Sequence, residues 1–199
     1  MQVTHVVSLG RNCRPAWQAR RFWKIERAYP FDWWITPVPG FCRFLCDWDV
    51  NRLYRGASEL IEDGRIASIW HEGYDIRLYH EFTRAADGST VLPGWRAQLK
   101  AARDRTGALM RRFDALDGGR PLFLREANAT DTPALLEELK AAVERRLPAA
   151  RPEFVVVAQF PVGAPGWRDL VVDDPFATWT GDIAAWTRAF ASLDVTLAA

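Results

Sequence analysis

Cys13 is the residue of this chain whose type and setting suit it best to covalent chemistry. It lies in VVSLGRNCRPAWQARRF (Val6 to Phe22), where an apolar strand passes through a glycine turn into a helix start. In a first helical turn, unpaired backbone N–H groups and the helix dipole favour the thiolate, which is the reactive form. Arg11 and Arg14 flank the cysteine and act in the same direction. The same N–H groups are donors for a developing oxyanion. A thiol nucleophile also needs a base, and the chain has 3 histidines. His5 falls inside the first strand and His71 in the loop IWHEG. His80 ends an alternating strand on its apolar face, from which a fixed side chain can point into a cleft, so it is the preferred base. Asp32, a carboxylate in the aromatic, proline-rich loop PFDWW, is the candidate to orient the imidazole, ahead of Asn12 and Asp75. Each has a plainer reading. Cys13 is a small residue of a buried type, His80 a core histidine, and Asp32 a turn cap.

These groups must be positioned by the elements around them. VTHVVSLG reads as a first strand, with Gly10 allowing the turn, and NCRPAWQARRFW as a helix with Asn12 as N-cap and Pro15 in its first turn. AYPFDWWITPVPG is a loop, and FCRFLCDW a short apolar helix. YDIRLYHEF alternates, placing Tyr74, Ile76, Leu78 and His80 on one face of a half-buried strand. The clearest helix runs from Trp95 through Leu99, Ala102, Thr106, Leu109 and Phe113 to Leu116, ended by Gly118 and Gly119. PLFLREA reads as a buried strand and TPALLEELKAAVERRL as a helix capped by Thr132. EFVVVAQF is the strongest strand, apolar enough to be covered on both faces. DLVVDD is a further strand candidate, and DIAAWTRAFASL a closing helix with Ile183, Trp186, Phe190 and Leu193 on one stripe. Strands alternating with helices predict an α/β fold: a layered sandwich with a mostly parallel central sheet flanked by helices. The whole of residues 1–199 is expected to form a single domain, with an irregular insertion around residues 26–90. The turn carrying Cys13 then lies at the carboxyl end of a strand, where open α/β sheets bind ligands.

The residues resemble a family. SLGRNC, then YPFDWW about twenty residues later, then a histidine near residue 80, is similar to a bacterial family of papain-like cysteine peptidases of otherwise unknown function. The later ALMRRFDAL, LFLRE and WTGDIAAW also resemble that family, so the likeness spans most of the chain. It implies Cys13 as nucleophile, His80 as base and Asp32 as an orienting or structural residue. One feature departs from papain-like enzymes: there the histidine lies on a later antiparallel sheet with its Asn or Asp after it, whereas here Asp32 precedes His80 and the flanking pattern is parallel α/β.

Composition narrows the function classes. Formal net charge is +1, with 26 basic and 25 acidic residues, which gives no reason to expect nucleic acid. The absence of a long apolar run, and of a basic leader, predicts no membrane span and no signal peptide, hence a cytoplasmic protein. The 3 cysteines are expected to be reduced thiols; Cys42 and Cys46, four apart on a helix, read as core packing rather than a metal pair. Neither a metal nor a cofactor is expected. The favoured function is a cysteine-dependent hydrolase or acyl transferase acting on a peptide or small acyl substrate, with Arg11, Asn12, Trp33, Trp34 and Arg125 as substrate contacts. The alternative is a non-catalytic module that binds a small molecule or anion at the Gly10–Cys13 turn. A zinc site built from Cys13, His80 and Asp32 is a third possibility, and Asp173 and Asp174 are acidic residues without a partner in the sequence.

Overall fold

In the computed structural model the described residues are 1–174 and 178–198. In chain order the elements are β1 (Gln2–Val3), β2 (His5–Ser8), α1 (Arg14–Trp23), α2 (Val38–Asp47), α3 (Val50–Arg55), β3 (Ala57–Glu62), β4 (Arg65–His71), β5 (Ile76–Arg77), α4 (Leu99–Asp114), β6 (Pro121–Glu126), α5 (Pro133–Arg146), β7 (Glu153–Ala158), β8 (Arg168–Val171), α6 (Ile183–Ala191) and β9 (Thr196–Leu197). Short 3-10 turns cover Pro30–Trp33, Glu72–Tyr74 and Trp95–Gln98.

The central feature is a four-stranded sheet in the order β2-β6-β7-β8, with every neighbouring pair parallel. Side chains alternate across a strand, and its two faces bury different clusters. Val6, Leu122, Leu124, Val155 and Val157 pack with Ala19 of α1 and Trp186 and Phe190 of α6. Val7, Phe123, Phe154 and Val156 pack with residues of α2, α4 and α5, among them Phe44, Phe113, Leu139 and Val143. The expectation that β7 is covered on both faces holds. The fold is therefore mixed α/β with a parallel sheet. Among the described residues no helix is long and apolar enough to cross a membrane.

Local sequence accounts for most boundaries. Thr132 caps α5, its hydroxyl accepting from the Leu135 amide at 3.3 Å, with Pro133 in the first helical position. Asp182 caps α6 by accepting from the amides of Ala184 and Ala185. At α1 the N-cap is Cys13 rather than Asn12, but the Asn12 side chain still accepts from the Arg14 amide at 2.9 Å. On α4 the core position falls to Met110, not Leu109.

Residues 26–90 are more ordered than an irregular insertion. They hold α2, α3 and an antiparallel sheet β3-β4-β5. The β3–β4 hairpin turns on Asp63 and Gly64, both with positive φ (51° and 72°), the conformation that Asp-Gly favours in two-residue turns. The expected strand over Tyr74–Phe82 shrinks to Ile76–Arg77, bracketed by a 3-10 turn and by a turn at Tyr79 and His80. Tyr74, Ile76 and Leu78 are buried as the alternation predicts, but His80 is exposed.

Candidate functional site

A cavity of about 550 Å³ opens where β2, β6 and β7 end, lined by Arg11, Asn12, Arg14, Glu126, Asn128 and Gln159 among others. Carboxyl strand ends are where open parallel sheets take their ligands. One wall is the turn after β2. Gly10 (φ 73°) and Arg11 (φ 63°) are consecutive left-handed residues. That conformation is uncommon for an arginine; Thr36 holds it, its Oγ1 accepting from the Arg11 amide at 2.9 Å and its own amide donating to the Arg11 carbonyl at 3.4 Å. A Cβ on Gly10 would lie 2.4 Å from Thr36 Oγ1, so only glycine fits there. The chain then enters α1. Among the described residues neither the Asn12 nor the Cys13 amide bonds to a carbonyl or side-chain oxygen.

The second wall is Glu126, the last residue of β6 and 4% exposed. Its Oε1 accepts from Asn12 Nδ2 at 2.8 Å and from Arg14 NH1 at 3.4 Å. Its Oε2 is buried with no partner. Burial pushes the Glu126 carboxyl above the usual range; Arg14 and Asn12 pull it back less strongly. The unpartnered oxygen argues the same way, because an ionised buried carboxylate demands donors on both oxygens. Arg14 is anchored on its other side by the carbonyls of Trp179 and Thr178, at 3.1 Å each.

The structure does not gather all of the expected residues here. Cys13 is partly exposed at the start of α1, but burial raises its thiol pKa above the ordinary value, outweighing its own amide and Arg14. It shares no hydrogen bond with His80. The His80 ring instead lies edge-on to Trp33 (centroids 5.5 Å apart) and to Tyr79 (4.9 Å). Although the residue as a whole is exposed, the ring is partly covered by these aromatics, and that partial desolvation, with Arg84, holds its pKa below the ordinary value. Asp32 is buried and serves its own loop: Oδ2 accepts from the Tyr29 amide at 2.8 Å and pairs with Arg20. Burial lifts its pKa to about 6, against the pull of Arg20. Asp32 therefore does not orient His80. Trp33 is half-buried under the Arg20 guanidinium. Trp34 is fully buried in the core, its indole N–H donating to Glu81 at 3.0 Å.

Arg125 proves internal rather than a substrate contact. It is fully buried, donates to the Leu9 carbonyl and Thr36 Oγ1 at 3.0 Å each, and pairs with buried Asp131 at 3.5 Å. The residue that reaches the cleft is its neighbour Glu126, which the sequence reading passed over. Asp174 is buried and accepts from the Asp182 amide and the Trp186 indole. Cys42 packs against the core and Cys46 is exposed. Among the described residues no group of three or more His, Cys, Asp or Glu side chains is placed to hold a metal ion. Comparison with family models, with curated proteins and with solved structures returns no match to this chain.

Proposed function

We propose that this chain is a layered α/β module that binds a small anionic ligand where β2, β6 and β7 end. What carries the reading is one juxtaposition. The turn through left-handed Arg11, and Asn12, whose amide bonds to no carbonyl or side-chain oxygen, border a cavity walled by Glu126, whose Oε2 lacks a partner. That amide and Arg11 suit an oxyanion at a helix start; Glu126 suits a hydroxyl or amine on the same ligand. Inorganic phosphate is the simplest probe. Titration followed by amide NMR shifts is expected to move Asn12 and Cys13 saturably, to weaken in Arg11→Gln and to persist in Cys13→Ala. Equal binding by wild type and Arg11→Gln would remove the reading.

The second reading is the cysteine-dependent hydrolase or acyl transferase, with Cys13 as nucleophile and His80 as base, and with Asp32 in a structural part only. It is supported by the likeness of SLGRNC and PFDWW to the papain-like family, and by the partial exposure of Cys13 at a helix start. The raised thiol pKa and the placement of His80 on Trp33 favour the binding module over it. Iodoacetamide labelling of Cys13 across pH separates the two. The binding module expects labelling that is slow near neutral pH and accelerates only above about pH 9, the range of an unactivated thiol. Fast labelling at pH 7 that is lost in His80→Ala would reverse the order of the two readings.

A further inference from the structure

At the opposite end of β2 a cavity of about 390 Å³ lies between the start of that strand and the segment following α1. Two polar atoms among the residues that line it, His5 Nδ1 and the Tyr29 hydroxyl, are buried without any hydrogen-bond partner. Tyr29 is 2% exposed, and its ring stands edge-on to His5 with centroids 6.4 Å apart. Unsatisfied buried polar groups are rare and ask for an explanation.

The chemistry of the two atoms can be worked out. Arg27 NH1 lies 2.9 Å from His5 Nε2. A guanidinium has no acceptor, so Nε2 must accept. The imidazole is then the neutral tautomer with its proton on Nδ1, and burial and Arg27 both hold its pKa down. The Tyr29 hydroxyl, pushed up to about 12 chiefly by burial, keeps its proton. Both orphan atoms are therefore donors. Lys24, displayed on a left-handed residue (φ 55°) at the end of α1, and Arg27 line the same cavity; beyond it, Asp32 and Arg112 act on Tyr29 in opposite directions, Asp32 the more strongly. Glu26 is the single acidic residue among the described residues lining it.

We infer that this cavity is a second ligand site, one that takes a small oxyanion, carboxylate or phosphate, on the Nδ1–H of His5 and the hydroxyl of Tyr29. Both donors are screened from the open cavity in the free protein, so the anion reaches them by displacing the side chains over them, and Lys24 and Arg27 balance its charge. The site stands independently of the cleft at the other end of the sheet.

The test is an NMR titration of ¹⁵N-labelled protein with inorganic phosphate and, separately, with acetate, reading the His5 ring nitrogens. The expected result begins with the Nδ1–H tautomer in free protein. A saturable shift of that proton with one of the two anions then names the class of ligand. Tyr29→Phe, which removes only an unpaired hydroxyl, is expected to fold with unchanged or slightly raised stability and to weaken binding about tenfold. Arg27→Gln weakens it as well, while Arg11→Gln, which disturbs only the other cleft, leaves it intact. An Nε2–H tautomer, the absence of a saturable shift with either anion, or equal affinity in Tyr29→Phe would each overturn the site. The last two results would assign the orphan atoms to an internal water.

Discussion

Replacing Glu126 by glutamine tests whether the cleft holds a protonated acid. The carboxyl is 4% exposed, with Oε1 shared by Asn12 and Arg14 and Oε2 unpartnered. Its folded pKa is raised by burial above the unfolded value of about 4.5. A raised carboxyl pKa means that the folded state binds the proton more tightly. The corresponding stability is fully present below the unfolded pKa and is lost as pH climbs through the folded one, by at most about 1.4 kcal/mol per pH unit for one proton. Glutamine keeps the acceptor for Asn12 and places a donor where the acid's O–H would be. At pH 4 the variant should therefore lie within about 3 kcal/mol below wild type, since the acid leaves one buried donor unpaired and the amide two. Between pH 4.5 and 8 the variant should gain on wild type. Urea denaturation of both proteins at half-unit pH steps measures the difference directly. The opposite slope, with the variant losing about 3–5 kcal/mol only at high pH, is what an ionised, stabilising Glu126–Arg14 pair would give. That outcome would refute the burial argument.

Two further substitutions probe the scaffold beneath the cleft. Arg125→Ala should cost about 3–5 kcal/mol in denaturant unfolding, because it leaves buried Asp131 without its cation and strips Leu9 and Thr36 of a donor; a loss under 1 kcal/mol would show that the network is dispensable. Gly10→Ala should cost about 2–4 kcal/mol, from a left-handed backbone at φ 73° and a Cβ set 2.4 Å from Thr36 Oγ1. A melting temperature within 1 °C of wild type would contradict it.

Strand and helix order around the parallel sheet was readable because β2, β6 and β7 are apolar runs and Thr132 and Asp182 are strong caps. Parity was harder. Arg125 and Glu126 are consecutive, so they point to opposite faces, yet both faces of β6 are buried. With apolar residues on each side, nothing in PLFLRE says which of the two ends inside and which reaches the cleft. His80 fails for a related reason. The alternation through Tyr74, Ile76 and Leu78 extends to His80 on paper, but the chain turns at Tyr79, and the histidine leaves the face its spacing assigned. The β3–β4 hairpin was hidden because its strands mix polar and apolar residues without strict alternation and are largely half-exposed, leaving the Asp63-Gly64 pair as the sole strong signal.

The turn that carries Arg11 and Asn12 could not be read locally at all, because its shape is imposed from a distance. Thr36 belongs to the segment expected to be an irregular insertion. Its hydroxyl accepts from the Arg11 amide and from Arg125, and lies 3.3 Å from the Leu9 carbonyl to which it donates. One side chain thus ties the left-handed Gly10–Arg11 pair to the interior arginine of the neighbouring strand. A left-handed arginine costs free energy and persists only where its surroundings over-determine it. Here the surroundings are Thr36 and, through it, Arg125 and Asp131. The 26–90 segment is therefore part of the cleft's construction: it fixes the backbone of the turn that brings Arg11 and Asn12 to the cleft, and Arg125, misplaced as a substrate contact, acts on the site from beneath through Thr36.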